Sequence, residues 1–208
     1  MILKTLIAAA LMSTSIATFA APITSKTDVA LNGAQVIDFE TSSAGSFSSF
    51  IAGGVTFSTP ENGKKIHISN AYSGQYGAIG KSIQNTYNSN AFGILDFSFL
   101  APVSAFAFNW GASNSQWTLR AWDVNDNLLD TVLPAITVGS NDGYTGIKFA
   151  SALISRAQLS GPSSDYIFLD NFSFAADTIS PVPEPEQFAM FGLGLGLLAF
   201  MRKRKRRV

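Results

Sequence analysis

Short runs of alternating apolar and polar residues fill the middle of this chain, and they restrict its fold more than any other feature. Leu95, Phe97 and Phe99 share one face of such a run, while Asp96 and Ser98 share the other. A period of two places one face of an extended strand against a core and turns the other face outward. No long stretch shows the spacing of an amphipathic helix. The middle of the chain is therefore predicted to be all-β.

Residues that favour turns separate these runs. Asn125, Asp126 and Asn127 tolerate the positive φ of a tight hairpin turn. Pro102 separates the run of residues 94–100 from the run of residues 103–110. Ten short strands predict an antiparallel β-sandwich, most simply a jelly roll, with a β-barrel as the alternative. The expected strands cover residues 35–40, 54–58, 65–69, 94–100, 103–110, 117–123, 128–133, 145–149, 153–159 and 166–174.

The N-terminus has the features of a secretory signal peptide. Lys4 supplies a positive charge, residues 5–19 are apolar and small, and Thr18 and Ala20 form a small-x-small cleavage site. We expect an N-terminal signal helix over residues 1–20 that is passed to the Sec machinery and removed by signal peptidase. A buried N-terminal helix of the domain is the alternative.

The C-terminus joins a proline motif to an apolar segment and a basic cluster. Residues 188–201 carry no charge, and as a helix they would span about 21 Å, less than the roughly 30 Å of a bilayer core. They predict a single, weakly held transmembrane helix. The basic tail should then stay in the cytoplasm by the positive-inside rule. The membrane-stop residues are Arg202, Lys203, Arg204, Lys205, Arg206 and Arg207.

This order of segments resembles the PEP-CTERM sorting signal of exported bacterial proteins. The matching motif residues are Val182, Pro183, Glu184 and Pro185. The resemblance implies an exosortase-type transpeptidase that recognises the motif and releases the body from an inner-membrane intermediate to the cell surface, outer membrane or extracellular matrix. It also implies an exopolysaccharide or biofilm context. A permanent membrane anchor is one alternative; the other is a basic nucleic-acid tail, against which the apolar segment argues.

These features divide the chain into five parts and leave an acidic domain in the middle. The domain keeps seven of the 14 Lys and Arg residues and twelve of the 14 Asp and Glu residues, a net charge of about −5. Such a domain is a poor partner for nucleic acid. The parts are a signal peptide (1–20), a β-sandwich domain (21–177), a linker with the Pro-Glu-Pro motif (178–187), a transmembrane segment (188–201) and a basic cytoplasmic tail (202–208).

Carboxylates near both ends of this domain are the candidate metal ligands. The chain has no cysteine, so an exported domain must be held together by packing or by a metal. Asp38 and Glu40 lie on the first expected strand and Asp170 lies on the last, and these strands are neighbours in many jelly rolls. Calcium takes oxygen ligands of this kind.

The same two runs resemble carbohydrate-binding modules of the β-sandwich type. The resemblance implies a structural calcium held by Glu40 and Asp170, with Asp38 and Asn171 as supports. Carboxylates that face solvent on edge strands are the alternative.

Aromatic side chains are the candidates for contact with a glycan, because Trp and Tyr rings stack on sugar faces. Trp110 is assigned to the core instead, since it shares a strand face with Phe106. The stretch 70–90 is rich in Tyr, Gly and amides and is too long for a hairpin loop, so it is either a functional loop or an unstructured one. The candidates are Tyr72, Tyr76, Trp117 and Trp122.

Catalytic chemistry has little support in the sequence. His67 is the only histidine, and it alternates with Ile66 and Ile68 on an expected strand. No Gly-x-Ser-x-Gly elbow or phosphate-binding glycine loop occurs, and no carboxylate pair is singled out for glycoside hydrolysis. We therefore expect a non-enzymatic surface or matrix protein with polysaccharide as its candidate ligand. A secreted hydrolase and a purely structural or adhesive protein are the alternatives.

Overall fold

Two antiparallel β-sheets pack face to face in a computed structural model, which describes residues 20–75, 77–85, 91–138 and 143–176. The all-β sandwich prediction is therefore confirmed. The predicted signal helix up to residue 19, the transmembrane segment and the basic tail lie outside the described residues. Within those ranges, no helix is long and apolar enough to cross a membrane.

The larger sheet has eight strands among the described residues. β2 (Gln35–Ile37) pairs only with β14 (Phe168–Ala175), and Ile37 lies opposite Phe172. The first expected strand and the last are therefore neighbours, as predicted. The other strands follow the order β1 (Ala21–Ile23), β12 (Gly143–Lys148), β9 (Ala105–Gly111), β14, β7 (Ser82–Gln84), β6 (Ile66–Ser69) and β3 (Gly45–Phe47).

The smaller sheet has six strands in the described ranges. Their order is β11 (Leu128–Val132), β10 (Thr118–Trp122), β13 (Ile154–Ser160), β8 (Ile94–Val103), β5 (Val55–Ser58) and β4 (Ser49–Ala52). From β11 to β14 the chain changes sheet at every step, which is the strand alternation of a jelly roll. A 3₁₀ turn, Val29–Leu31, lies outside both sheets.

All ten expected strands are present with shifted ends, and four short strands were missed. The missed strands β1, β3, β4 and β7 have three or four residues each. The first expected strand ends at Ile37 rather than at Glu40. Phe39 adopts a φ of 60°, a left-handed conformation that does not continue a regular extended strand. Asp38 then accepts a hydrogen bond from the Glu40 N–H at 3.1 Å and closes a turn.

Phenylalanine rings fill the space between the sheets, with Phe172 at their centre. Both sheets contribute rings to this cluster, and each such aromatic pair adds about 0.5–1.5 kcal/mol beyond the burial of its area. Because the chain has no cysteine, this packing does the work that disulfides do in many exported domains. The ring of Phe172 lies 5.2 Å from Phe57, 5.1 Å from Phe97, 6.2 Å from Phe99, 6.0 Å from Phe106 and 5.7 Å from Phe108.

A buried aspartate organises the loops at one end of the sandwich. Asp165 accepts hydrogen bonds from the N–H groups of Asn114 (2.9 Å) and Ser115 (3.1 Å). It also accepts one from the indole Nε1 of Trp117 at 2.8 Å. Its own backbone carbonyl accepts from the side-chain amide of Asn85 at 2.8 Å. A carboxylate held by three donors can be buried without a countercharge.

We expect Phe172→Ala to lower the free energy of unfolding by about 3–5 kcal/mol, because it leaves a cavity where five rings meet. Urea denaturation followed by tryptophan fluorescence measures this loss. Leu133→Ala is the control, since that side chain is 63% exposed and its removal should cost less than about 0.5 kcal/mol. Equal costs for the two variants would show that the ring cluster does not hold the sheets together.

Candidate functional site

Two chain segments cover the outer face of the larger sheet, and a groove lies between them. In the first segment, residues 24–34, Ala30 of the 3₁₀ turn packs against Ala105 and Ala107. In the second, residues 70–81, the ring of Tyr72 stacks on Phe168 with centroids 5.2 Å apart. The described part of the expected functional loop is therefore fixed on the sheet.

The floor of the groove is built from three adjacent strands. Tyr144 of β12 lies opposite Asn109 of β9, and Asn109 lies opposite Asp170 of β14. The Tyr144 hydroxyl donates to Ser173 Oγ at 3.5 Å. The groove has a volume of about 390 Å³. It is lined by Lys26, Leu31, Ala34, Val36, Gly77, Ile79, Asn109, Tyr144, Asn171 and Ser173.

A β-bulge in β14 places Asn171 in this groove. The pairing of β14 with β9 shifts register between Asp170 and Ser173, and Asn171 adopts a φ of 48°. Because the bulge adds one residue, Phe172 returns to the core while Ser173 lies on the outer face. Asparagine is among the few residues that tolerate this left-handed conformation. Its carbonyl accepts a hydrogen bond from Ser173 Oγ at 3.1 Å.

The phenol of Tyr144 stays protonated in this setting. Burial raises its pKa above the ordinary value; the hydrogen bond to Ser173 opposes this shift, and the nearby carboxylate of Asp28 adds a smaller rise. The hydroxyl can therefore both donate and accept a hydrogen bond at any physiological pH. At the rim, Val36 and Ile79 expose aliphatic side chains. The groove thus combines one aromatic ring, two amides and hydroxyl groups with an apolar edge.

The three predicted metal ligands come together behind the second covering segment. Asp170 is only 1% exposed, and its carboxylate accepts hydrogen bonds from the N–H groups of Ile79 (3.0 Å) and Asn171 (2.7 Å). Glu40 Oε1 accepts from the N–H of Lys81 at 2.6 Å. The two carboxylates therefore anchor the same loop from opposite ends of the sequence.

The carboxyl group of Asp170 carries an unusual electrostatic load. Burial, with smaller contributions from the carboxylates of Glu40 and Asp38, raises its pKa to about 6. The two backbone N–H groups that it accepts from oppose this shift. Two residues with a left-handed backbone lie next to these carboxylates: Phe39 lies between Asp38 and Glu40, and Asn171 directly follows Asp170. Strain of this kind persists where the surrounding structure demands a particular side-chain placement.

Within the described residues, no group of three or more His, Asp and Glu side chains is arranged to hold a metal ion. Gly80 packs directly against the Glu40 carboxylate, where any larger residue would overlap it. Lys81 Nζ lies nearby and donates to the carbonyls of Glu40 and Ser42, both at 2.8 Å. In this arrangement the carboxylates bind backbone N–H groups. A structural calcium at Asp38, Glu40 and Asp170 stays a prediction.

None of the three glycan candidates that the structure describes, Tyr72, Trp117 and Trp122, lines the groove. Trp117 is corrected to a core residue, because its ring is fully buried and offers no face to a sugar. Trp122 lies half-buried on the smaller sheet, with the guanidinium of Arg156 3.9 Å from its ring centroid. Tyr72 packs one face of its ring on Phe168. Tyr76 lies outside the described residues.

Sequence reasoning missed most of the groove residues. Asn109 interrupts an apolar strand between Phe108 and Trp110, which was the available signal of a functional outer face. Tyr144 gave no signal, because its neighbours in the groove come from β9 and β14. Asn171 was expected to support a metal.

The strand pairings define the class of this protein as an antiparallel β-sandwich with jelly-roll alternation. Residues 181–207 match the model of the PEP-CTERM protein-sorting motif, which confirms the resemblance seen in the sequence. The chain thus carries a sorting signal that implies export to the cell surface and handling by exosortase-type machinery. No curated protein matches the chain.

Several solved structures resemble the sandwich at low sequence identity. The K2 cleaved adhesin domain of Lys-gingipain has a TM-score of 0.48 at 11% identity, covering 68% of this chain and 99% of that one. TmCBM61 in complex with beta-1,4-galactotriose has a TM-score of 0.38 at 14% identity, covering 60% of this chain and 90% of that one. CsCBM6-3 from Clostridium stercorarium in complex with cellobiose has a TM-score of 0.34 at 18% identity, covering 63% of this chain and 95% of that one. These TM-scores lie below 0.5, so the functional argument rests on the groove itself.

The carboxylate cluster predicts opposite pH dependences with and without calcium. Without metal, the raised pKa of Asp170 means that its proton stabilises the fold below about pH 4, and this stabilisation is lost as pH rises through about 6. Asp170→Asn should abolish that slope in melting temperatures measured from pH 4 to 7. Asp130→Asn, on β11 of the other sheet, should keep it.

Bound calcium should instead stabilise the protein at pH 7, by about 2.7 kcal/mol at a hundredfold excess over Kd. The gain should disappear below pH 6, because protons compete for Asp170. A melting temperature at pH 7 that is the same in calcium and in chelator removes the predicted site. A slope that survives in Asp170→Asn contradicts the raised pKa.

Proposed function

We propose that this protein is an exported, non-enzymatic polysaccharide-binding protein of the cell surface or extracellular matrix. The groove on the outer face of the larger sheet is its glycan-binding site. The sorting motif at residues 181–207 supports the location. The observation that carries the activity is the grouping of Tyr144, Asn109, Asn171 and Ser173 on one groove floor.

The groups on the floor match the chemistry of a sugar. A pyranose offers an apolar face to an aromatic ring and a set of hydroxyls that both donate and accept hydrogen bonds. The amides of Asn109 and Asn171 supply one donor and one acceptor group each, and Tyr144 supplies a ring and a hydroxyl. A volume of about 390 Å³ is at the small end of ligand sites, which suits one or two sugar units of a longer chain.

The charge of the domain favours a neutral polysaccharide. The body carries about five more acidic than basic residues, so a strongly anionic polymer would be repelled over most of its surface. Lys26 is the charged residue among the described groove lining. No carboxylate pair of the kind that glycoside hydrolysis uses is found in that lining. The groove is thus better equipped to hold a glycan than to cleave it.

Tyr144→Ala should weaken binding to the producer's own exopolysaccharide by about 10- to 100-fold, because it removes the stacking ring and one hydrogen bond. Tyr144→Phe, which keeps the ring, should lose less. Affinity electrophoresis and a glycan array measure both effects.

Tyr166→Ala is the matched control, since Tyr166 is 41% exposed and lies outside the groove. Equal binding by the Tyr144 and Tyr166 variants would refute the groove as the glycan-binding site. No binding by the wild-type protein would favour a purely structural or adhesive role. Release of reducing ends by the wild-type protein would favour the hydrolase.

Intact-mass analysis of the surface fraction tests the processing. The mature chain should lack residues 1–20 and the basic residues 202–207, because signal peptidase and an exosortase-type enzyme act at opposite ends. Pro183→Ala with Glu184→Ala should leave an unprocessed chain in the membrane fraction. A surface product that retains residues 202–207 would contradict release and support a permanent anchor.

A further inference from the structure

Both ends of the described chain leave the sandwich at the same place. Across the larger sheet, Ala21 pairs with Lys148, Lys148 with Ala105, and Ala105 with Ala175. Three strand spacings separate Ala21 from Ala175, a distance of about 14 Å. The part of the sandwich at this row of residues is called the terminal end here. The sorting tail therefore emerges from the terminal end, beside the start of the predicted mature chain.

The turns of the smaller sheet identify what else lies at the terminal end. β8 ends at Val103 before the chain enters β9 at Ala105, so the corner 100–102 lies there. The N–H of Leu100 donates to the carbonyl of Gly54 at 3.0 Å, which places the β4–β5 turn at the terminal end as well. β10 and β8 both pair antiparallel with β13, so they run in the same direction. The β10–β11 turn, which follows the end of β10, therefore lies at the terminal end together with the end of β8.

Exposed apolar side chains concentrate at this end. Four of the five most exposed large apolar residues in the described ranges belong to its turns or to the strand and 3₁₀ turn beside them. Val29 lies in a shallow hollow next to Ala21 and Lys148. Single exposed apolar residues are common, but four around one chain exit form an apolar rim. They are Leu100 (89% exposed), Val124 (75%), Ile51 (74%) and Val29 (73%).

Two ion pairs lie near this rim, and the carboxylate of Asp123, beside Val124, accepts hydrogen bonds from Asn125 and Asn127. Lys148 Nζ lies 2.7 Å from Asp28, and Arg156 Nε lies 2.7 Å from Asp126. Pairing lowers the cost of bringing these groups to a surface of low dielectric constant. The guanidinium of Arg156 also lies over the ring of Trp122. Tryptophan with a cationic partner is a combination that suits the headgroup region of a bilayer.

We propose that the terminal end rests on the lipid bilayer while the sorting tail is still in the membrane. Residues 177–187 connect the last described residue to the apolar segment and reach at most about 40 Å when extended. This tether keeps the apolar rim close to the bilayer surface at high effective concentration, so weak insertion of Leu100, Val124 and Val29 is enough to hold it. The contact keeps the Pro-Glu-Pro motif near the membrane, where a membrane enzyme must find it. The groove, on a side face of the sandwich, remains free.

The absence of cysteine permits a direct test on the full chain. Single Leu100→Cys and Val124→Cys variants carry a fluorophore, and Leu133→Cys and Ile136→Cys at the opposite end are the controls. All four positions are at least half exposed, so labelling leaves the core intact. Each full chain is reconstituted into vesicles of phosphatidylethanolamine and phosphatidylcholine that contain a nitroxide-labelled lipid, so that the vesicle surface carries no net charge to repel the acidic body.

The labels at positions 100 and 124 should be quenched at least about twofold more strongly than those at 133 and 136. Equal quenching at both ends overturns the proposal. A change at 100 and 124 that follows protein density and does not require the nitroxide lipid shows contact between copies, and also overturns it. Tyr144→Ala should leave the quenching pattern unchanged, so failure of the membrane contact and failure of glycan binding are told apart.

Discussion

The packing of Phe172 between the two sheets is the contact on which the rest of the structure depends. Its ring meets rings from both sheets, including Phe57 and Phe97 of the smaller one and Phe108 of the larger one. β14 can place Phe172 there only through the bulge at Asn171, and that same bulge sets Asn171 on the groove floor. The groove is therefore a consequence of how the core is filled. In a chain without disulfides, stability and the candidate binding site share one strand segment.

The loop that forms one wall of the groove is held by buried carboxylates. Asp170 and Glu40 bind the N–H groups of Ile79 and Lys81, and Ile79 in turn lines the groove. Burial raises the pKa of Asp170 to about 6, which shows that this anchoring costs stability at neutral pH. A protein keeps such a costly placement where it positions something useful. The wall of the proposed binding groove would account for the placement without a metal, and a bound calcium would offset the cost.

The route of the chain gives this sandwich a direction. Its two ends lie three strand spacings apart in the larger sheet, at the end that carries the apolar rim. The groove lies on a side face, flanked by the 3₁₀ turn and the 70–81 segment. The proposed membrane contact and the proposed glycan contact therefore use separate surfaces of one domain. Asp165 organises the loops at the opposite end through Trp117.

The sequence by itself determined the all-β class, most strand positions and the sorting tail. These follow from local patterns: a period of two, turn residues, and segments that a membrane or an enzyme recognises without a tertiary fold. Only the tertiary structure decided that Trp117 is core and that Tyr144, Asn109 and Asn171 share a groove. Their placement depends on pairing between strands far apart in the chain and on a bulge required by core packing, and no local window of sequence contains either.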